Sequence, residues 1–286
     1  MTAPHVDPYR EIDAQPDPVR VIESLEQRGR TPAQARMRRR FLRFIPVRPS
    51  AEVLEVGCGT GIIVRDLAGM VGPRGHVVGV DVSRAAVESA RRFGRSHPAA
   101  RRMSFRVADG ARLPFRAGEF DVTLAVTVML HVADPLAVVS EMARVTRPGG
   151  LVALQDQDFG AVVLEHPDRV LTARILDGVV HRLYAEPYSG RRLPALLRAA
   201  GLGDVRLLAD VYQDTMLTPY TQTFLGRRAE NAVRFGIVDE NEAQRWLDGV
   251  SDQFARGAFV FTMNYYGAVA TKPASASSAA RARRRR

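Results

Sequence analysis

The stretch Val53-Leu54-Glu55-Val56-Gly57-Cys58-Gly59-Thr60-Gly61 decides how this chain folds. Three β-favouring apolar residues and an acid run straight into three glycines spaced two apart. Glycine turns sharply and lets backbone approach a ligand closely, because it has no Cβ. An apolar run ending in such a loop reads as the first strand of an open α/β sheet. A nucleotide-type ligand then sits outside the strand's carboxyl end. A phosphate-cradling loop would require G-x-x-x-x-G-K-[ST], and that spacing is absent. A dinucleotide fingerprint would require its third glycine at position 62, which is Ile62; the glycine comes one residue early, at Gly61.

Further strand-like runs follow in order. Val77-Val78-Gly79-Val80-Asp81 ends in an acid 24 residues after Gly57. Phe105–Val107 leads into Ala108-Asp109-Gly110, and Phe120–Val126 is a clean apolar run. His131-Val132-Ala133-Asp134-Pro135 opens a helix, and Arg147-Pro148-Gly149-Gly150 reads as the turn that ends it before a fifth strand, Leu151–Gln155. Proline stops a helix and glycine supplies the left-handed exit. Together these elements, in this order across Val53–Leu154, resemble the class I S-adenosylmethionine-dependent methyltransferases, whose first motif is (V/L)LD/E-x-G-x-G-x-G.

That resemblance implies a Rossmann-like α/β fold: a seven-stranded, mostly parallel sheet with helices on both faces. It implies S-adenosyl-L-methionine as cofactor. Glu55 would position the cofactor's amino end through the loop of Gly57, Gly59, Thr60 and Gly61. Asp81, with Val82, would take the ribose hydroxyls, and Asp109 with Gly110 would meet the adenine; Val126 completes the cofactor-binding set. The cofactor carries an ammonium and a sulfonium but no phosphate, which fits a loop without lysine or arginine. The resemblance is to the branch of quinone-biosynthesis and secondary-metabolite O-, N- and C-methyltransferases. The [DN]-P-P-[YF] run of enzymes that methylate exocyclic amines is replaced here by Val126-Thr127-Val128-Met129-Leu130. One cysteine, Cys58, already committed to the loop, serves neither cytosine C5 nor arsenite methylation.

Composition sets bounds. At 286 residues, 46% hydrophobic and 25% charged, the chain is an ordinary globular composition large enough for a full core. No stretch of eighteen apolar residues predicts a transmembrane helix, and Met1–Asp17 lacks an apolar signal core, so a cytoplasmic location is expected. The single cysteine argues against a disulfide or a multi-cysteine metal site. Half of the net charge of +10 lies in five arginines between Arg281 and Arg286. The tail from residue 273 reads as disordered. It raises nucleic acid as a partner only weakly, since a charge run is more often a solvated extension.

The expected organisation is a helical cap over residues 1–50, a cofactor-binding core over 51–213, a helical lid inserted at 214–257, a last strand at 258–272, and the tail. Pro18–Arg28 and Pro32–Phe44 read as helices, the second amphipathic. Ser83 reads as the N-cap of a helix to Arg95. Asp168–Tyr184 and Gly190–Gly201 read as helices, Asp204–Val211 as the sixth strand, and Ala258–Thr271 as an antiparallel seventh. A forty-residue insertion between strands suits a lid, and its aromatic residues suit a largely apolar, aromatic or prenylated acceptor or, for most of them, the lid's own core. Monomer and homodimer are both compatible.

Methyl transfer is an in-line displacement in which alignment can contribute roughly 7–11 kcal/mol of the barrier, and a general base a further factor of about 10²–10⁴. His131, just past the fourth strand, is the candidate base; its alternative role is packing against or capping the helix near Ala133. Asp156 and Asp158 follow as candidates, and His166, His181 and Tyr184 stand no higher than surface residues. The expected function is methyl transfer to a small organic acceptor. A nucleic-acid-directed enzyme using the basic tail, and a non-catalytic binder of the cofactor, are the alternatives.

Overall fold

The computed structural model describes residues 7 and 9–274. The arginine-rich segment at 281–286 and most of the expected tail lie outside the described residues.

Two helices come first, α1 (Pro18–Arg30) and α2 (Pro32–Phe44), each with proline in its first turn. Then β1 (Glu52–Val56), α3 (Ile62–Met70), β2 (His76–Asp81), α4 (Arg84–Arg95), β3 (Met103–Val107), β4 (Phe120–Val126) and α5 (Pro135–Val145) alternate. The rest is β5 (Thr146–Leu164), α6 (Arg169–Leu183), α7 (Ser189–Ala199), β6 (Gly203–Asp214), α8 (Pro219–Arg234), α9 (Glu240–Ala255) and β7 (Phe261–Thr271). Ser83 caps α4 as read, its hydroxyl accepting from the Ala86 N–H at 3.1 Å. The seven strands form one sheet in the order β3-β2-β1-β4-β5-β7-β6, with only β7 antiparallel to its neighbours. Strand order reverses between β1 and β4, which opens a crevice at their carboxyl ends.

Alternation along β1 builds both faces. Val53 packs with Phe41, Leu42, Val64 and Leu67 from α2 and α3. Leu54 and Val56 pack on the other face with Val139 and Met142 of α5 and Leu193 and Leu197 of α7. A third cluster joins Ile175 and Val179 of α6, Leu225 of α8 and Trp246 of α9 to Phe261 and Met263 of β7.

Three sequence expectations need correction. Arg147–Gly150 does not end before the fifth strand; it lies inside β5, with Gly149 at φ +75° and the pairing to β4 shifting register across it. The Gly149 N–H donates to the Lys272 carbonyl at 2.8 Å, which binds this segment to the chain beyond β7. And β5 is 19 residues long: past a bulge between Asp158 and Val162 it continues to Leu164 against Phe261–Met263. With β6 running to Asp214, the β5–β7–β6 part of the sheet outreaches the rest and carries the third cluster on its far end. The seventh strand starts at Phe261, three residues later than expected.

Candidate active site

The crevice at the reversal point holds a cavity of about 570 Å³. Its floor is the glycine loop, and the loop is pinned from two sides. Backbone N–H groups of Gly57 and Cys58 donate to the Val80 carbonyl at 2.8 and 2.9 Å. The Asp81 carboxylate accepts from the Gly59 N–H at 2.8 Å and the Ser83 N–H at 2.9 Å. Gly57 has φ +72°, and a Cβ there would lie 2.4 Å from Val128 Cγ2, so only glycine fits. Cys58 is buried with its sulfur against Gly79, a packing residue whose thiol burial pushes well up.

Nine of the ten residues read as cofactor-binding line this cavity: Glu55, Gly57, Gly59, Thr60, Asp81, Val82, Asp109, Gly110 and Val126. Gly61 is not among the lining residues. It sits left-handed at φ +73° at the start of α3, and a Cβ there would strike Phe105 at 2.7 Å. Its role is to let the helix begin against β3. Gly110 is needed for closeness as well, because a Cβ would reach Val56 at 2.8 Å.

The lining tests the implied cofactor directly. Glu55 is buried, and its Oε2 has no hydrogen-bond partner among the described residues. Burial, then the nearby Asp81, push its carboxyl well above the usual range. An orphaned acid in the wall is a seat for a cation, which matches the ammonium of S-adenosylmethionine. Burial also raises Asp81, while Asp109 is exposed and accepts from the Ala111 N–H at 2.9 Å. The residues present fit the group.

The helical cap expected over residues 1–50 roofs this cavity, though sequence reading named none of the side chains that do so. Tyr9, Arg10, Ile12, Leu25, Arg28 and Gly29 all line it. α1 is fastened to the glycine loop by Glu26, which accepts from the Thr60 hydroxyl and from Arg65, both at 2.7 Å. Burial pushes Glu26 up, but Thr60 and Arg65 outweigh it and hold the carboxyl below its ordinary value. Asp13 accepts from the Ser83 hydroxyl and from the Arg84 and Ala85 N–H groups, so the segment before α1 docks on the N-terminus of α4.

A second cavity, of about 450 Å³, adjoins the first under α8. Tyr9, Arg28 and His131 line both. The Asp7 carboxylate is bonded to His131 Nδ1. The His131 ring lies 5.6 Å from Tyr9 and 5.8 Å from Tyr184, and the N-cap of α5 is Asp134 instead. Thr127, at the end of β4, is held at φ +54°, with its hydroxyl accepting from Arg28 at 3.3 Å. Strain of that kind concentrates at working sites. Nothing local in the sequence marks Asp7, which stands 124 residues from its partner.

Asp156 lines neither cavity. Alternation along β5 sends Gln155 into the first cavity and Asp156 to the opposite, fully buried side. There its carboxylate accepts from the Leu130 N–H at 3.2 Å and braces the turn that carries His131. Burial pushes it up to about 7. Asp158 is buried and paired with Arg191, His166 bonds the Trp246 carbonyl in the core, and His181 bonds Tyr188. Tyr184, ranked low from sequence, lines the second cavity along with Tyr220 and Phe224; Trp246, Phe259 and Phe261 are core.

Known proteins bear on this site. The methyltransferase-domain family matches residues 54–154. Methyltransferase GfsG of Streptomyces halstedii is 35% identical, the match covering 71% of this chain and 68% of that protein. Nocamycin O-methyltransferase of Saccharothrix syringae is 32% identical, over 68% of this chain and 74% of that one. Phosphoethanolamine N-methyltransferase 2 of Haemonchus contortus, solved with S-adenosyl-L-methionine, superposes with TM-score 0.59 at 19% identity, over 93% of this chain and 60% of that one, which speaks for the fold. Sequence likeness of this extent settles what the glycine loop and its acids suggested: the chain belongs to the class I S-adenosylmethionine-dependent methyltransferases.

Proposed function

We propose that this enzyme methylates a small organic acceptor, of secondary-metabolite type, held in the second cavity, and that the accepting atom is an oxygen. The observation that carries this is the position of His131, bonded to Asp7 and shared by both cavities. A carboxylate accepting the Nδ1 proton fixes the tautomer whose Nε2 is free to take a proton. When bound, the cofactor supplies an electrophilic methyl group on a sulfonium. Glu55, Asp81 and Asp109 hold it in the first cavity. His131 would take the proton that the acceptor's hydroxyl gives up when it receives the methyl group. Tyr9 and Arg28 wall the passage, and α8 with α9 forms a lid that excludes water. The O-methyltransferase among the relatives supports oxygen as the accepting atom.

The test is incubation of the full chain with methyl-labelled cofactor and a metabolite extract, followed by mass identification of the labelled product. The product carries the methyl as an ether or ester. Turnover of its acceptor falls about 10²–10⁴-fold in His131→Ala, with binding of S-adenosylhomocysteine retained. A labelled product methylated on nitrogen or carbon overturns the oxygen assignment, and full activity in His131→Ala overturns the base.

A further inference from the structure

The second cavity contains a charge that the protein leaves unanswered. Arg228, on α8, is 3% exposed, and its Nη1 has no hydrogen-bond partner. No carboxylate lies within ion-pair distance of it among the described residues. Its surroundings are aromatic instead. The guanidinium lies 4.8 Å from the Phe159 ring centre, 4.7 Å from Phe224 and 5.4 Å from Tyr184. Phe159 and Tyr184 are themselves stacked at 4.5 Å. The one polar contact is a long one, Nη2 to the Tyr184 hydroxyl at 3.4 Å. Ring faces attract a guanidinium, but they do not replace an anion for a charge removed from water.

The rest of the wall has the same sign. Arg28, Arg227 and Arg234 also line this cavity, and among the described residues none of them pairs with an acid; Glu230 is the one carboxylate among the lining residues, and it is exposed. Arg28 is tied only to the Thr127 hydroxyl, and Arg227 to the Tyr9 hydroxyl at 3.3 Å. By contrast, the buried acids Glu26 and Asp158 each have an arginine partner, Arg65 and Arg191. A caged, unpaired guanidinium presents a planar fork suited to two oxygens of one oxyanion.

We propose that Arg228 is a specificity residue that binds an oxyanion, a carboxylate or a phosphate ester, borne by an otherwise apolar or aromatic acceptor. This rests on the second cavity being the acceptor's chamber. Tyr184 contacts both Arg228 and the His131 ring, so the anionic end is seated about one aromatic ring away from the base. The anion therefore anchors the molecule, and a different atom is presented for methylation.

The probes are benzoate, phenyl phosphate and the neutral isostere benzamide, with binding followed by calorimetry on the full chain saturated with S-adenosylhomocysteine. At least one anion binds tenfold or more tightly than benzamide; which one does so assigns carboxylate or phosphate. Arg228→Gln removes that preference and keeps affinity for S-adenosylhomocysteine, while Arg228→Lys retains part of it. Equal binding of all three probes by the unaltered protein overturns the proposal whether or not the variants fold, as does an undiminished preference in a folded Arg228→Gln. Loss of S-adenosylhomocysteine binding by the unaltered protein contradicts the cofactor site instead, so the two failures are distinguishable.

Discussion

At the scale of single residues, two buried carboxyl groups make opposite contributions. Glu55 lines the first cavity with an unsatisfied oxygen, and its carboxyl is raised by burial and by Asp81. A cation arriving beside it favours the ionised form, so proton release from Glu55 on cofactor binding is the expected outcome. Calorimetry of S-adenosylhomocysteine binding in buffers of different ionisation enthalpy reads that release; Glu55→Gln abolishes it and weakens affinity roughly 10–100-fold, the loss of one charge-assisted bond. Asp156 faces no ligand. Its folded value of about 7 stands above the ordinary 3.8, so the folded state holds its proton longer than the unfolded one. Stability is therefore full below about pH 4 and is lost as pH rises through 7, by on the order of 4 kcal/mol. Asp156→Asn keeps an acceptor for the Leu130 N–H and removes the titration. Melting curves from pH 5 to 8 then show the variant gaining on the unaltered protein as pH rises; parallel curves would count against that account.

Among the elements, the joint between α1 and the glycine loop matters most. Glu26 and Arg65 are both nearly buried in their side chains, at 8% and 12% exposure. Removing one partner of such a pair strands the other, at a cost of about 3–5 kcal/mol. Glu26→Ala therefore loosens α1 from the loop: amide exchange across Pro18–Arg30 accelerates, and S-adenosylhomocysteine leaves faster. Unchanged exchange in α1 would show that the apolar contacts of Ile22 suffice. Elements of this kind were legible to different depths. The sequence marks β1 and β2 cleanly because each is an apolar run with a glycine or an acid at its end, and β4 because Phe120–Val126 is largely apolar. It conceals the far half of β5, where Gln155, Asp156, Gln157 and Asp158 are all buried and the bulge breaks the alternation. It conceals the role of Arg147–Gly150 too, since a proline and two glycines read as a turn unless the neighbouring pairing is known. Nine of the ten residues that the resemblance implied for the cofactor line the first cavity, whereas Asp7 and Arg228 owe their placement to partners far away in the chain, which no local pattern records.

For the molecule as a whole, the first residues are as much a part of the site as the sheet is. Asp7 and Tyr9 reach both cavities or their shared histidine, and Asp13 seats the segment on α4. A chain lacking residues 1–14 keeps Asp17 as the cap of α1 and retains its sheet by circular dichroism. It binds S-adenosylhomocysteine at least about tenfold more weakly, and turnover drops by the roughly 10²–10⁴-fold associated with a lost base orientation. Wild-type affinity in the truncated chain would show the roof to be dispensable. The sheet order has a consequence for biosynthesis as well. Because β7 lies between β5 and β6, the twelve residues of β6 have nowhere to pair until positions 261–271 have left the ribosome. Until then the nascent polypeptide carries two bare strand edges, a template for wrong pairing with other chains, and messages cut short anywhere in the preceding forty codons yield sticky fragments in place of a weaker enzyme.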